Sequence, residues 1–229
     1  MSHFVLIPGA GGAGWYWSRV VPLLEQAGHT AVALDLPSDD EDAGLPEYVE
    51  LALAACAYAD DVVLVAQSLG GFTGAMAADH LVRAGRAPRA LVLLNAMVPL
   101  PGETPGQWWG AVDSESFRSA AAEEGGWSDD PYDLQEYFLH DVDPAVAAEG
   151  EDHQRNEAEI VFGQTCDIEE WPSVPTRAIA GADDRFFPLA LQRRVAQDRL
   201  GIAVEVVPGG HLAALAQPDA VAAAILRSA

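Results

Sequence analysis

The chain has 229 residues, half of them hydrophobic, with 35 acidic residues against 12 basic ones and a formal net charge of −23. A chain this long folds as one sizeable domain that buries roughly 70% of its unfolded surface, so it needs neither disulfides nor a metal to hold a core. All twelve basic residues are arginine and lysine is absent, which excludes Schiff-base chemistry and a P-loop and gives a surface that repels nucleic acid and anionic membranes.

No apolar run approaches the ~20 residues a membrane span needs. The opening Met1 to Pro8 has no basic leader of the signal-peptide kind. Cys56 and Cys166 stand alone, far from any CxxC spacing, and read as reduced, buried or partly buried thiols in a cytoplasmic protein. The alanine- and arginine-rich, lysine-free composition suggests a GC-rich bacterial genome, although salt adaptation would leave a similar acidic surface.

Short apolar runs rich in β-branched residues alternate with helix-length amphipathic stretches, the pattern of an α/β protein with a mostly parallel six-stranded sheet. Strands are expected at Phe4–Ile7, Ala31–Asp35, Val62–Ala66, Ala90–Asn95, Thr176–Ala180 and Val204–Val207, with helices at Trp17–Ala27, Leu45–Tyr58, Leu69–Ala84, Pro188–Arg199 and Leu212–Arg227. Runs such as Val62 to Ala66 are apolar at consecutive positions, as in a sheet covered on both faces. The alternation stops between 97 and 172. That segment holds 19 acidic and two basic residues, Arg118 and Arg155, and four of the six tryptophans. Aromatics need something to pack on, so the segment is expected to form an inserted helical cap over the carboxyl edge of the sheet, within a single domain spanning 1–229.

The strongest local signal is Leu64-Val65-Ala66-Gln67-Ser68-Leu69-Gly70-Gly71. An apolar strand ends, one serine follows, and a helix opens on two glycines. A sharp strand-to-helix turn pushes the serine hydroxyl out of the fold and demands small residues two before and two after it, here Ala66 and Gly70. The helix start aims free N–H groups at the site, with that of Leu69 the natural oxyanion donor. A second donor is expected from the glycine loop Pro8 to Gly14, which lets backbone approach a ligand closely. Gly9 to Gly14 matches a dinucleotide fingerprint loosely, with Asp35 as the acidic residue, but that reading leaves the serine turn and the C-terminal histidine without a role.

Serine needs a base, and the base an orienting acid. His211 follows the last strand in Gly209-Gly210-His211, and Asp183 and Asp184 follow the strand before it, so all three loops fall at the sheet edge where α/β proteins place their sites. Either aspartate could hold the imidazole. The order Ser, Asp, His is one this architecture uses. His140, Asp141 and Asp143 lie close together in the cap but have too few strong ligands for a metal site, and no cofactor is expected.

With these residues in hand, the chain resembles the α/β-hydrolase superfamily over essentially its whole length, and within it the small esterases related to plant methylesterases and hydroxynitrile lyases. The resemblance is carried by Pro8 to Trp15, Gly28-His29, Ala33 to Pro37, Val65 to Gly71, Asn95 to Pro99, Gly181 to Pro188 and Gly210-His211-Leu212. It implies Asp184 as the acid, three residues after a glycine and four before a proline, and the N–H groups of Ala10 and Leu69 as oxyanion donors. It further implies the six-strand minimal core. Departures are Pro8-Gly9 where His-Gly is usual and Gln67 where histidine precedes the nucleophile; Gln67 is expected to support the turn only. The threonine hydroxyl and lysine that plant lyases use are replaced by Gly9 and Leu212, which argues against cyanohydrin cleavage.

The function implied is that of a serine carboxylesterase acting on a small ester, uncharged and apolar or aromatic. Gly9, Trp15, Met97, Trp108, Phe138, Phe186 and Leu212 are expected around the substrate, because each sits beside a catalytic loop or in the cap. A homodimer is admitted as an assembly. The rival readings are a receptor that keeps the fold without turnover, and a haloperoxidase, perhydrolase or lyase built on the same three residues.

Overall fold

The computed structural model describes residues 1–229. Six strands form one sheet: β1 His3–Ile7, β2 Thr30–Ala33, β3 Val62–Gln67, β4 Ala90–Leu94, β5 Thr176–Gly181 and β6 Val204–Val207, in the order β2-β1-β3-β4-β5-β6. Every neighbouring pair is parallel, with Ile7 opposite Ala66 and Gln67 opposite Leu94. All six strands therefore end on one edge, and the loops after β1, β3, β4, β5 and β6 meet there.

The three central strands β1, β3 and β4 are buried almost throughout because alternate side chains feed two separate cores. On one face Val5, Ile7, Leu64 and Leu91 pack with α2 (Leu45–Ala55), α3 (Gly70–Arg83) and α8 (Leu189–Leu200). On the other, Phe4, Leu6, Val63 and Val65 pack with α1 (Val21–Gln26), α9 (Ala213–Ala216) and α10 (Pro218–Leu226). Each such Leu, Ile or Phe contributes on the order of 1.5–3 kcal/mol by leaving water.

Two helices expected to be continuous are not. The stretch from Trp17 begins as a 3₁₀ turn at Gly14–Trp17, and α1 starts only at Val21, with Pro22 in its first turn. The stretch from Leu212 is divided at Pro218, which opens α10 because proline cannot continue α9 without losing a backbone hydrogen bond. β2 ends at Ala33, two residues short of Asp35, whose carboxylate instead accepts the Gly14 N–H at 3.0 Å.

Between β4 and β5 lie α4 (Pro105–Ala111), α5 (Ser114–Gly125), a π-helical turn Gln135–Leu139, α6 (Pro144–Gly150) and α7 (Glu159–Gly163). The turn that leads into α4 is pinned to α8 by a buried ion pair in which Arg199 grips both oxygens of Glu103 at 2.5 and 2.9 Å. Farther along, Arg155 reaches Asp35 at 2.5 Å and the carbonyl of Gly12 at 3.3 Å, fastening the segment to the loop after β1. No helix is long and apolar enough to cross a membrane.

Candidate active site

Ser68 sits at the turn from β3 into α3 with φ of +50°, a left-handed conformation that costs a non-glycine residue strain. The turn is held from three sides: its carbonyl accepts the N–H of Gly71 at 3.0 Å and of Met97 at 2.9 Å, and its own N–H reaches the Leu94 carbonyl at 3.4 Å. Gly71 has to be glycine here, since a Cβ would run into the Met97 carbonyl oxygen. The hydroxyl of Ser68 lies 3.1 Å from His211 Nε2.

On the other side of the ring, His211 Nδ1 lies 2.9 Å from Asp184 Oδ2. With the carboxylate accepting at Nδ1, Nε2 carries the lone pair that faces the hydroxyl. Asp184 is buried and saturated with donors: Oδ1 accepts the N–H groups of Phe186 at 2.9 Å and Phe187 at 2.8 Å, and Oδ2 also accepts Gln192 Nε2 at 3.2 Å. Asp183 is exposed and accepts only the Gly209 N–H, at 3.4 Å. Of the two aspartates, Asp184 is the one that meets the imidazole.

The glycine loop after β1 closes over the hydroxyl. A Cβ at Gly9 would stand 2.7 Å from Ser68 Cβ and would overlap the Gln67 carboxamide oxygen, so only glycine allows this approach. Within the loop the Gly11 N–H donates to Glu157 Oε2 at 2.8 Å, the Gly12 N–H to the Gly9 carbonyl at 3.0 Å, and the Gly14 N–H to Asp35. No protein acceptor takes the N–H of Ala10 or Leu69. Both donors expected to face an oxyanion are thus free of a protein acceptor.

Beside Gln67, expected from the sequence to support the turn, the site rests on residues such as Asn95 and Glu157 that carry no sequence signal for the role. Asn95, fully buried with φ of +46°, donates to the carbonyls of Gly210 at 2.9 Å and His211 at 3.1 Å and accepts the Gly181 N–H at 2.7 Å, so it ties the ends of β4 and β5 to the histidine loop. Gln67 reaches the His211 carbonyl at 3.4 Å. Glu157 spans from Gly11 to the Tyr48 hydroxyl, 2.7 Å away, and burial pushes its carboxyl above the usual range against the pull of those two hydrogen bonds. Burial raises the Tyr48 hydroxyl as well, and the Glu157 carboxylate beside it adds to the shift. The Gly210 N–H is taken by Asp141 at 2.6 Å.

A cleft of about 790 Å³ runs past Gly9, Ala10 and Gln67 and is walled by Trp15, Leu134, Phe138, Leu139, Val142 and Leu212. A second, of about 680 Å³, shares Leu134 and Phe138 with it and adds Trp109, Tyr132 and Phe186. Phe138, Phe186 and Phe187 each present a ring to the His211 imidazole, with centroids 5.3, 5.1 and 5.0 Å away. Gly9, Trp15, Phe138, Phe186 and Leu212 therefore lie on these clefts. Met97 and Trp108, also expected around the substrate, are not among the residues that line either cleft. Met97 is in the core and serves the turn through its backbone. Trp108 is turned inward by the hydrogen bond from its indole N–H to the Val98 carbonyl at 3.1 Å, and the half-buried Trp109 takes the wall position.

Against known proteins, the profile of the Alpha/beta hydrolase family matches residues 4–224. Norfluorocurarine synthase 1 of Strychnos is 42% identical over 89 residues, 34% of this chain and 33% of that protein. Probable esterase PIR7A of rice, Oryza sativa, is 39% identical over 114 residues, 45% of this chain and 42% of that protein. The chain thus spans less than half the length of these curated relatives. The crystal structure of polyneuridine aldehyde esterase superposes with a TM-score of 0.78 at 21% identity, covering 99% of this chain and 98% of that one. A profile match over nearly the whole sequence, on an all-parallel six-stranded sheet, means that the chain belongs to the alpha/beta hydrolase family.

Proposed function

We propose that the protein is a serine carboxylesterase that cleaves a small ester through Ser68, His211 and Asp184. The observation that carries this reading is the unbroken relay from Ser68 Oγ to His211 Nε2 at 3.1 Å and from Nδ1 to Asp184 at 2.9 Å. His211 removes the hydroxyl proton as Oγ attacks the ester carbonyl carbon. The N–H groups of Ala10 and Leu69 hold the oxyanion, each worth about 2.7–4 kcal/mol where such donors have been removed. His211 then protonates the alkoxy oxygen as its bond to carbon breaks. Water, deprotonated by His211, releases the acid from the acyl-enzyme and restores Ser68.

The reading takes 97–172 as a cap, supported by the contacts of Phe138 with His211, Asp141 with Gly210 and Glu157 with Gly11. The apolar walls Trp15, Phe138, Val142 and Leu212 favour an apolar or aromatic group beside the reacting ester. The lysine-free composition and two unpaired, buried thiols support a bacterial, cytoplasmic enzyme. Removing the nucleophile is the test. Ser68→Ala is expected to keep less than about 1% of p-nitrophenyl butyrate hydrolysis while folding normally. Retention of more than a few per cent of the wild-type rate overturns the proposal.

A further inference from the structure

Arg118 lies on α5 beneath the cleft walled by Trp109, Tyr132, Leu134, Phe138 and Phe186. Its side chain is a permanent cation, since a guanidinium does not lose its proton in a protein. The residue is only 9% exposed, and its Nε and Nη1 are buried without a hydrogen-bond partner. Eight of the twelve arginines pair with a carboxylate, at positions 19, 83, 89, 155, 177, 185, 199 and 227. In a chain with 35 acidic residues a counter-ion was available for Arg118 too, yet none lies within 4.0 Å. Asp113 and Glu115 line the same cleft but are exposed. The one compensating contact is the Phe186 ring, 5.8 Å from the guanidinium carbon. A cation–π contact offsets only part of what an unpaired buried charge loses on leaving water.

The chemistry that fits is specific. A guanidinium fork takes a carboxylate through two parallel hydrogen bonds, and aromatic walls take an apolar or aromatic body. The cleft's volume of about 680 Å³ suits a small molecule. It also abuts the reacting centre, because the Phe138 and Phe186 rings that wall it lie 5.3 and 5.1 Å from the His211 ring.

We propose that Arg118 and this cleft bind a carboxylate carried on an aromatic or apolar body. The group comes either from the distal end of an ester substrate or from the acid that hydrolysis releases; in both cases the assignment of its source rests on the esterase reading, while the binding itself does not.

The test is made in a Ser68→Ala background, so that no turnover intervenes. Titration with 3-phenylpropionate and with 3-phenylpropionamide, followed by calorimetry and tryptophan fluorescence, should give carboxylate binding about tenfold or more tighter than amide binding. Adding Arg118→Met should abolish that preference and leave the amide affinity in place. Arg118→Lys, which keeps the charge without the fork, should fall between the two. Equal affinities for carboxylate and amide, or a preference that survives Arg118→Met, overturns the proposal.

In the active enzyme, loss of a preference for a half-ester over the diester in Arg118→Met assigns the carboxylate to the substrate. Loss of inhibition by the acid alone assigns it to the product. If no ester is hydrolysed by the wild-type protein, the esterase reading fails while the binding result stands.

Discussion

Replacing Asp184 by asparagine isolates the orienting acid from everything else it does. Oδ1 would go on accepting the N–H groups of Phe186 and Phe187, so the loop after β5 should keep its shape. The change falls at Oδ2, which now accepts from both His211 Nδ1 and Gln192 Nε2. An amide NH₂ in that place offers donors to one donor and to a ring that must then accept. The imidazole answers by moving its proton to Nε2, where it faces the Ser68 hydroxyl and cannot take a proton from it. The loss expected for a wrong-tautomer histidine is roughly 10⁴-fold in kcat, or about 5 kcal/mol at 1.36 kcal/mol per tenfold. Steady-state hydrolysis of p-nitrophenyl butyrate by Asp184→Asn and Asp183→Asn, with circular dichroism of both, decides it. Asp183→Asn should stay within about twofold, because the 3.4 Å contact to Gly209 is all it has to lose. A folded Asp184→Asn protein that keeps a tenth of the wild-type rate would mean that Asp184 does not set the His211 tautomer.

The same geometry makes three further predictions. Gly9→Ala must push the loop after β1 away from Ser68 and Gln67, taking the Ala10 N–H with it, so kcat/KM should fall about 10²-fold or more; a change under threefold contradicts the oxyanion assignment. Glu157 has its folded carboxyl raised by burial, so the folded state holds that proton more tightly than the unfolded one, and the stability it brings is present at low pH and lost as pH rises through the raised value. Urea melts of wild type and Glu157→Gln should therefore diverge in favour of the variant from about pH 4 toward neutrality, and convergence over that range refutes the assignment. Burial pushes the Cys56 thiol up to about 11 and the Cys166 thiol up to about 12, so neither should react with a disulfide reagent at pH 8 until the protein is unfolded, and rapid native modification of either contradicts the packing.

Most of what positions the site is written locally in the chain. The central strands announce themselves because both of their faces are buried, which leaves uninterrupted apolar runs such as Val62 to Ala66. The serine turn is legible because its backbone strain and close packing admit so few residues around Ser68. What could not be read depends on partners distant in sequence. Nothing near Glu157 marks it as the acceptor for Gly11, 146 residues away, and nothing near Asn95 marks it as the tie to Gly210 and His211. Trp108 and Trp109 are adjacent on a seven-residue helix too short for periodicity to tell which ring faces the core, and the Val98 carbonyl settles it. The single helix expected over Leu212–Arg227 overlooks Pro218, which opens α10 because proline cannot extend the preceding turn.

The most direct measurement on Ser68 is reaction with a fluorophosphonate probe, followed by peptide mass mapping and by hydrolysis of p-nitrophenyl acetate and butyrate. A single adduct on Ser68 is expected, formed in step with the loss of hydrolysis, and no adduct after His211→Ala. A protein that hydrolyses neither ester and takes up no label, or one labelled at another serine while activity is lost, would contradict it.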